Sequence, residues 1–208
     1  MPHHSIQNET ARSILHAAAD LFLQKGYHKV TTREIAAAAG VNLGLIPYYF
    51  TSKENLAAAV VRDINDRAYA AIFRDLPQGL GCAERLYLST QLLWQQFSPE
   101  AMDFFIEYLE ICGYIRVSET FEHMAAEVLD HYALSVPDAQ HTLYLYALKG
   151  AESQLLIGLH KGQLETTFGE ITRLILTNYF FNIGLSSQQI NRILDGCRSY
   201  LDGQTQTT

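Results

Sequence analysis

The chain has 208 residues, 48% of them hydrophobic and only 5 of them Pro, and 15 Lys and Arg against 22 Asp and Glu give a formal net charge of −7. That composition excludes a disordered or collagen-like chain, and the length predicts one domain, or one with a small appendage, able to bury a core. Cys82, Cys112 and Cys197 share no CxxC spacing, and their odd number argues against a disulfide framework. The opening MPHHSIQNETARSIL is no basic-then-apolar leader. The charge-poor stretch from Leu174 to Asn191 is broken by Thr177, Asn178, Asn182 and Ser186, so no membrane span is expected. A cytoplasmic location follows as the expectation.

Taken in chain order, the sequence reads as helix after helix. Ile14, Ala18, Leu21 and Phe22 recur at helical spacing, with Gly26 as a stop. In Thr31-Thr32-Arg33-Glu34 a hydroxyl stands three residues before a Glu, which predicts a capped helix over Ile35–Ala39. Gly40 can end that helix in the left-handed conformation and Asn42 can cap the next. Thr51-Ser52-Lys53-Glu54 repeats the capping signal ahead of a longer helix to about Phe73. Beyond Pro77 and Gly79, apolar residues at three-to-four spacing predict helices near 83–97, 100–114, 118–133, 138–161 and 169–183, with a last segment opening at Ser186. No run has the alternation of a strand. The expected fold is all-α, with a helix-turn-helix head over 1–58 on a larger helical body over 59–208.

Charge is uneven along this plan. Residues 1–60 carry five basic side chains (Arg12, Lys25, Lys29, Arg33, Lys53) against four acidic ones, so the remainder carries a net charge of −8. The amino-terminal part can therefore approach a polyanion that the whole chain would repel, helped near neutral pH by His3, His4, His16 and His28.

Thr31–Phe50 has the punctuation of a helix-turn-helix, whose second helix lies in the major groove of DNA while the first crosses the backbone. A recognition helix should be small and polar where it meets base edges. Asn42 can hydrogen-bond there, and Gly44 has no side chain to hold the duplex away. Tyr48 and Tyr49 offer phenolic donors to phosphate, and Lys53 offers a cation in the first turn of the following helix. Ile35, Ala36, Ala39 and Val41 are expected in the head's core, with Phe50 as a packing anchor.

The run Ile14-Leu15, Ala17-Ala18, Leu21-Phe22, Gly26-Tyr27, Thr31, Ile35-Ala36, Ala39-Gly40-Val41, Gly44, followed by Tyr49-Phe50, Lys53-Glu54 and Leu56, resembles the DNA-binding head of the tetracycline-repressor (TetR) family. The resemblance covers about residues 12 to 56 and implies a homodimeric bacterial regulator on a near-palindromic double-stranded operator, released by a small effector bound in the larger domain. It implies that Thr31, Thr32 and Arg33 meet the DNA backbone, that Asn42, Leu43, Gly44 and Leu45 face bases, and that Tyr48, Tyr49 and Lys53 face phosphates. One position departs from the family: Pro47 stands where a Tyr is common. The recognition helix must then be very short, or hold Pro47 in its first turns.

The larger domain needs a cavity, and its aromatic density makes Trp94, Phe105, Tyr108 and Cys112 candidates for an effector pocket that suits a hydrophobic or aromatic molecule. His123, Glu127 and His131 lie along one helix face, but two turns span about 11 Å, too far for one ion. A solvated polar face is the expectation, and neither metal nor cofactor is implied. Segments near 141–160 and 170–183 are rich in apolar and small residues and suit a homodimer interface. Gly150, Ala151 and Gly158 would let a second backbone approach. The chain has no GxSxG, HExxH, phosphate loop or dinucleotide fingerprint, so no enzyme is expected. The alternative is an all-helical adaptor for a protein partner, with a helix-turn-helix that is only structural.

Overall fold

The structure, a computed structural model, describes residues 9–113 and 117–205. His3, His4 and Tyr114 lie outside these. Among the described residues ten α-helices follow one another: α1 Glu9–Lys25, α2 Thr32–Ala39, α3 Leu45–Phe50, α4 Lys53–Asp75, α5 Cys82–Leu93, α6 Pro99–Cys112, α7 Glu119–His131, α8 Asp138–His160, α9 Phe168–Asn182 and α10 Ser187–Thr205. A 3-10 turn, Trp94–Gln96, prolongs α5, and no strand occurs among the described residues. The fold is all-α, as the spacing predicts. None of the described helices is long and apolar enough to cross a membrane.

The chain divides into two compact units, Met1–Ile64 with Phe97–Gly113, and Asn65–Gln96 with Tyr114–Thr208. The division falls inside α4, a few residues from the expected boundary at 58. It also gathers α6 with the head rather than with the body.

In the first unit, α1 packs on α2 and α6. Ile14, Leu15, Ala18 and Phe22 form the buried stripe of α1, meeting Ile35 and Ala36 of the same core, while Ala39 and Val41 are only half-buried. Phe22 stacks on Phe104 of α6, ring centroids 5.2 Å apart and planes 14° off parallel. Ile46 and Phe50 are the buried residues of α3, so Phe50 is the expected anchor.

In the second unit, α5 packs on α7, α9 and α10, and α8 lies along α9. Phe121, Met124, Ala125 and Val128 supply the buried face of α7, and Ile175, Leu176, Tyr179 and Phe180 that of α9. Full burial of such side chains contributes roughly 1.5–3 kcal/mol each. Helix α8 covers its polar residues and leaves apolar ones open: Leu143 and Tyr146 are 62% and 55% exposed, while Lys149 and Glu152 are buried. Gly158 is also explained within the chain, since a Cβ there would come within 2.7 Å of the Leu164 side chain.

Candidate nucleic-acid interface

The helix-turn-helix is built by local hydrogen bonds. Thr31 accepts at Oγ1 from the Glu34 backbone N–H (3.2 Å), and the Glu34 carboxylate accepts from the Thr31 N–H (2.8 Å) and hydroxyl (2.9 Å). This is the predicted capping box, and it commits the Thr31 hydroxyl to the helix end. The bond from the Thr31 backbone N–H, with that from its hydroxyl and the nearby Lys25 ammonium, lowers the Glu34 carboxyl to about 2. Gly40 closes α2 at φ +66°, a conformation in which a Cβ is strained, and the Val41 N–H reaches back to the Ala36 carbonyl at 3.0 Å.

The turn then differs from expectation by two residues. Asn42 does not cap α3; its Oδ1 accepts from the Gly44 N–H at 2.9 Å, an Asx turn, and α3 begins at Leu45 with Gly44 as its cap. Helix α3 is six residues long and Pro47 is its third, a position whose N–H would have no helical acceptor in any case. Both conditions set by Pro47 are met together. Thr51 donates its N–H to the Pro47 carbonyl at 3.0 Å and sits at φ +67°, an uncommon conformation for a β-branched residue. It therefore ends α3, and Ser52 caps α4, accepting at Oγ from the Asn55 N–H at 3.2 Å. The second capping signal was real but belongs to Ser52, because Thr51 is spent on the turn.

Asn42, Leu43, Gly44 and Lys53 come together with Thr32 and Pro47 around one open hollow of about 480 Å³. Leu43 is 41% and Tyr48 76% exposed, although both are large enough to bury. Leu45 and Tyr49 are half-buried, and Tyr49 meets Tyr48 edge to face with centroids 4.9 Å apart. Arg33 is exposed and forms no ion pair with the described residues; it is Lys25 that pairs with Glu34, at 3.1 Å.

Lys53 is more constrained than its sequence position suggests. Its Nζ donates to the Tyr27 carbonyl at 2.7 Å and lies 4.0 Å from the Tyr27 ring centroid. Partial burial lowers its pKa against the pull of Glu54, Glu107 and Glu34. Tyr27 is itself fixed twice more: its hydroxyl donates to Glu54 at 3.2 Å, and its backbone N–H donates to the Glu107 carboxylate. Sequence reasoning missed Tyr27 and Glu107. They stand 80 residues apart, and nothing local to either marks the other.

The effector candidates fall in both units. Phe105 and Tyr108 are buried in the first, where Phe105 packs on Phe97 and Phe104, and Cys112 is half-buried and in no disulfide. Trp94 belongs to the second, where its indole N–H donates to Glu152 at 3.0 Å. That carboxylate also receives the Lys149 ammonium at 2.7 Å, and Lys149 lies 4.2 Å from the Phe121 ring centroid and 3.4 Å from the Tyr69 hydroxyl. Burial opposes the Lys149 charge, but the Glu152 carboxylate beside it prevails and raises its pKa to about 12. A Lys and a Glu three apart inside an apolar helix are the signal that could have found this nest. His123 meets Glu127 at 3.4 Å on an exposed face, and no cluster of three metal-ligating side chains occurs among the described residues. His141 is half-buried and hydrogen-bonded to the Tyr179 hydroxyl at 2.7 Å.

This geometry defines a helix-turn-helix protein with a separate helical unit. Residues 14–60 match the family model "Bacterial regulatory proteins, tetR family". The HTH-type transcriptional regulator BetI of Escherichia coli is 34% identical over 82 residues, 38% of this chain and 42% of BetI. The match thus spans less than half the length of that curated relative. Among solved structures, a TetR transcriptional regulator from Rhodococcus sp. RHA1 superposes with a TM-score of 0.59 at 20% identity, covering 86% of this chain and 99% of the other. RolR in complex with resorcinol gives 0.58 at 18% identity, over 89% and 92%. These two establish likeness of fold. The helix-turn-helix part of the chain is thus similar to the DNA-binding head of the tetR family of bacterial regulatory proteins.

Proposed function

We propose that the chain is a cytoplasmic, homodimeric transcriptional repressor that binds a near-palindromic operator and is released from it by a small hydrophobic or aromatic effector. The observation that carries the DNA-binding reading is the hollow beside α3, where Asn42, Leu43, Gly44 and Lys53 converge next to the exposed Tyr48. A six-residue helix presents few side chains, so base reading falls to Asn42, Leu43 and Leu45 around the glycine. Thr32, Arg33, Tyr48, Tyr49 and Lys53 supply phosphate contacts, and Thr31 acts by holding the end of α2 toward the backbone.

The dimer reading is supported by exposed apolar side chains on two adjacent helices. Leu143 and Tyr146 of α8 and Leu174 and Phe181 of α9 are each more than half exposed, and a shallow groove between the helices is lined by Ala147, Ala151 and Leu155. A patch of this kind on a small protein marks an interaction surface, and a self-complementary pair of antiparallel helices makes a four-helix interface. Effector recognition is placed in the second unit, with Trp94 as the sequence candidate retained there. The RolR neighbour, being a resorcinol complex, makes resorcinol a reasonable first compound to screen.

The test is fluorescence anisotropy with duplex DNA from around the chain's own gene, at two salt concentrations. Saturable binding to one near-palindromic stretch, with affinity falling steeply as salt rises, is the expected result. Equal, weak binding to every duplex, together with capture of a defined protein partner, overturns it in favour of the adaptor.

A further inference from the structure

A second cavity lies entirely within the second unit, between α5, α9 and α10, with a volume of about 250 Å³. That is at or below the lower end for small-molecule sites, roughly 300–1,000 Å³, and restricts an occupant to about one ring with a substituent. Leu194, Leu201 and the buried Cys197 give it an apolar floor. Tyr87 forms part of its wall and is only 5% exposed, yet its hydroxyl has no hydrogen-bond partner among the described residues. The hydroxyl oxygen is not sealed from solvent, so it is open to an occupant of the cavity.

Burial takes the Tyr87 pKa up to about 12, with the Cys197 thiol adding to the rise and the Arg173 and Arg198 guanidiniums opposing it. All three side chains line the same cavity as Tyr87. Arg198 is 3.9 Å from Asp195, whereas Arg173 has no carboxylate within ion-pair distance among the described residues, although its charge favours the ionised Glu170 beside it. The Glu170 carboxylate, also on the wall, is turned to its own helix cap, where it accepts from the Thr167 N–H at 2.9 Å and from the Thr166 and Thr167 hydroxyls at 3.1 Å. Gly169 completes the opening. A Cβ there would lie 3.3 Å from the Gln91 Nε2, so the absence of a side chain leaves room for the Gln91 carboxamide at the cavity wall.

We propose that this cavity is a binding site for a small aromatic carboxylate, its ring against Leu194 and Leu201 and its carboxylate held by the Tyr87 hydroxyl, the Gln91 carboxamide and the Arg173 guanidinium. A carboxylate uses the donor that Tyr87 leaves idle, and a charge-assisted bond to Arg is stronger than one between neutral groups. The site needs nothing from the helix-turn-helix and stands apart from the regulator reading.

Benzoate titrated calorimetrically into the full-length protein without DNA is the test, with benzyl alcohol as the neutral analogue. Saturable binding is expected, weakened about tenfold in benzyl alcohol and about tenfold by Tyr87→Phe or Arg173→Gln. Tyr87→Phe removes an oxygen with no partner, so its melting temperature should match or exceed that of the parent. Absence of benzoate binding up to about 10 mM overturns the proposal. So does binding that both variants leave unchanged. DNA binding is measured separately: an operator shift without benzoate binding removes this site alone, and benzoate binding without an operator shift removes only the regulator.

Discussion

Lys149 and Glu152 face each other at 2.7 Å from successive turns of α8, with side chains only 3% and 1% exposed. Breaking such a pair leaves a buried charge, whereas removing both charges can be neutral. Glu152→Gln should therefore destabilise the protein by about 3–5 kcal/mol, and Lys149→Met by a similar amount. The double variant Lys149→Met/Glu152→Leu should recover much of the loss. Chemical denaturation of the three variants checks this. Additive losses in the double variant would mean that the two charges are not coupled.

Substitutions at Lys53 and Asn42 test the proposed division between phosphate contact and base reading. Lys53→Ala should weaken binding to all duplexes alike and reduce the salt slope by about one. Asn42→Ala should instead change preference among operator variants. It should also cost about 1 kcal/mol of stability, because the Asn42 Oδ1 bond to the Gly44 N–H is lost. Anisotropy on a small set of operator mutants distinguishes the two patterns.

The capping box at Thr31 predicts an acid dependence. The Glu34 carboxyl, lowered to about 2 by hydrogen bonds from Thr31 and by Lys25, has a folded pKa below the unfolded value of about 4.3. Its contribution to stability is complete above the unfolded pKa and is lost as pH falls from there toward about 2. Thermal melts between about pH 2 and 5 should show a shallower acid loss for Glu34→Gln, which keeps an acceptor for the cap without the charge. Identical pH profiles for the two proteins would rule this out.

Leu143→Glu and Phe181→Glu place a charge on the exposed apolar faces of α8 and α9. Each should give a folded monomer where the parent is a dimer, as read by light scattering with circular dichroism as the folding control. Operator affinity should fall with it, because a palindrome rewards two linked heads. A parent chain that is monomeric at high concentration would exclude this interface.

The sequence by itself determined what is local. Helix spans follow from apolar spacing, and the Thr31–Glu34 box, the Gly40 stop and the shortness imposed by Pro47 all depend on residues within one or two turns of each other. The helix-turn-helix, and with it the likeness to the tetR family's head, was legible for that reason. Even here a choice between neighbours was not: Thr51 and Ser52 could both cap α4, and the closing of α3 on the Pro47 carbonyl gave the role to Ser52. Tertiary structure alone decided that Glu107 would hold the Tyr27 N–H from α6, and that Tyr27 would in turn hold Lys53. It also decided which face of α8 would be covered, burying Lys149 and Glu152 and leaving Leu143 and Tyr146 exposed. A helical pattern records how apolar each face is, but the burial of a charge depends on the partner that neutralises it. For Glu152 those partners include Trp94, which lies 58 residues away along the chain.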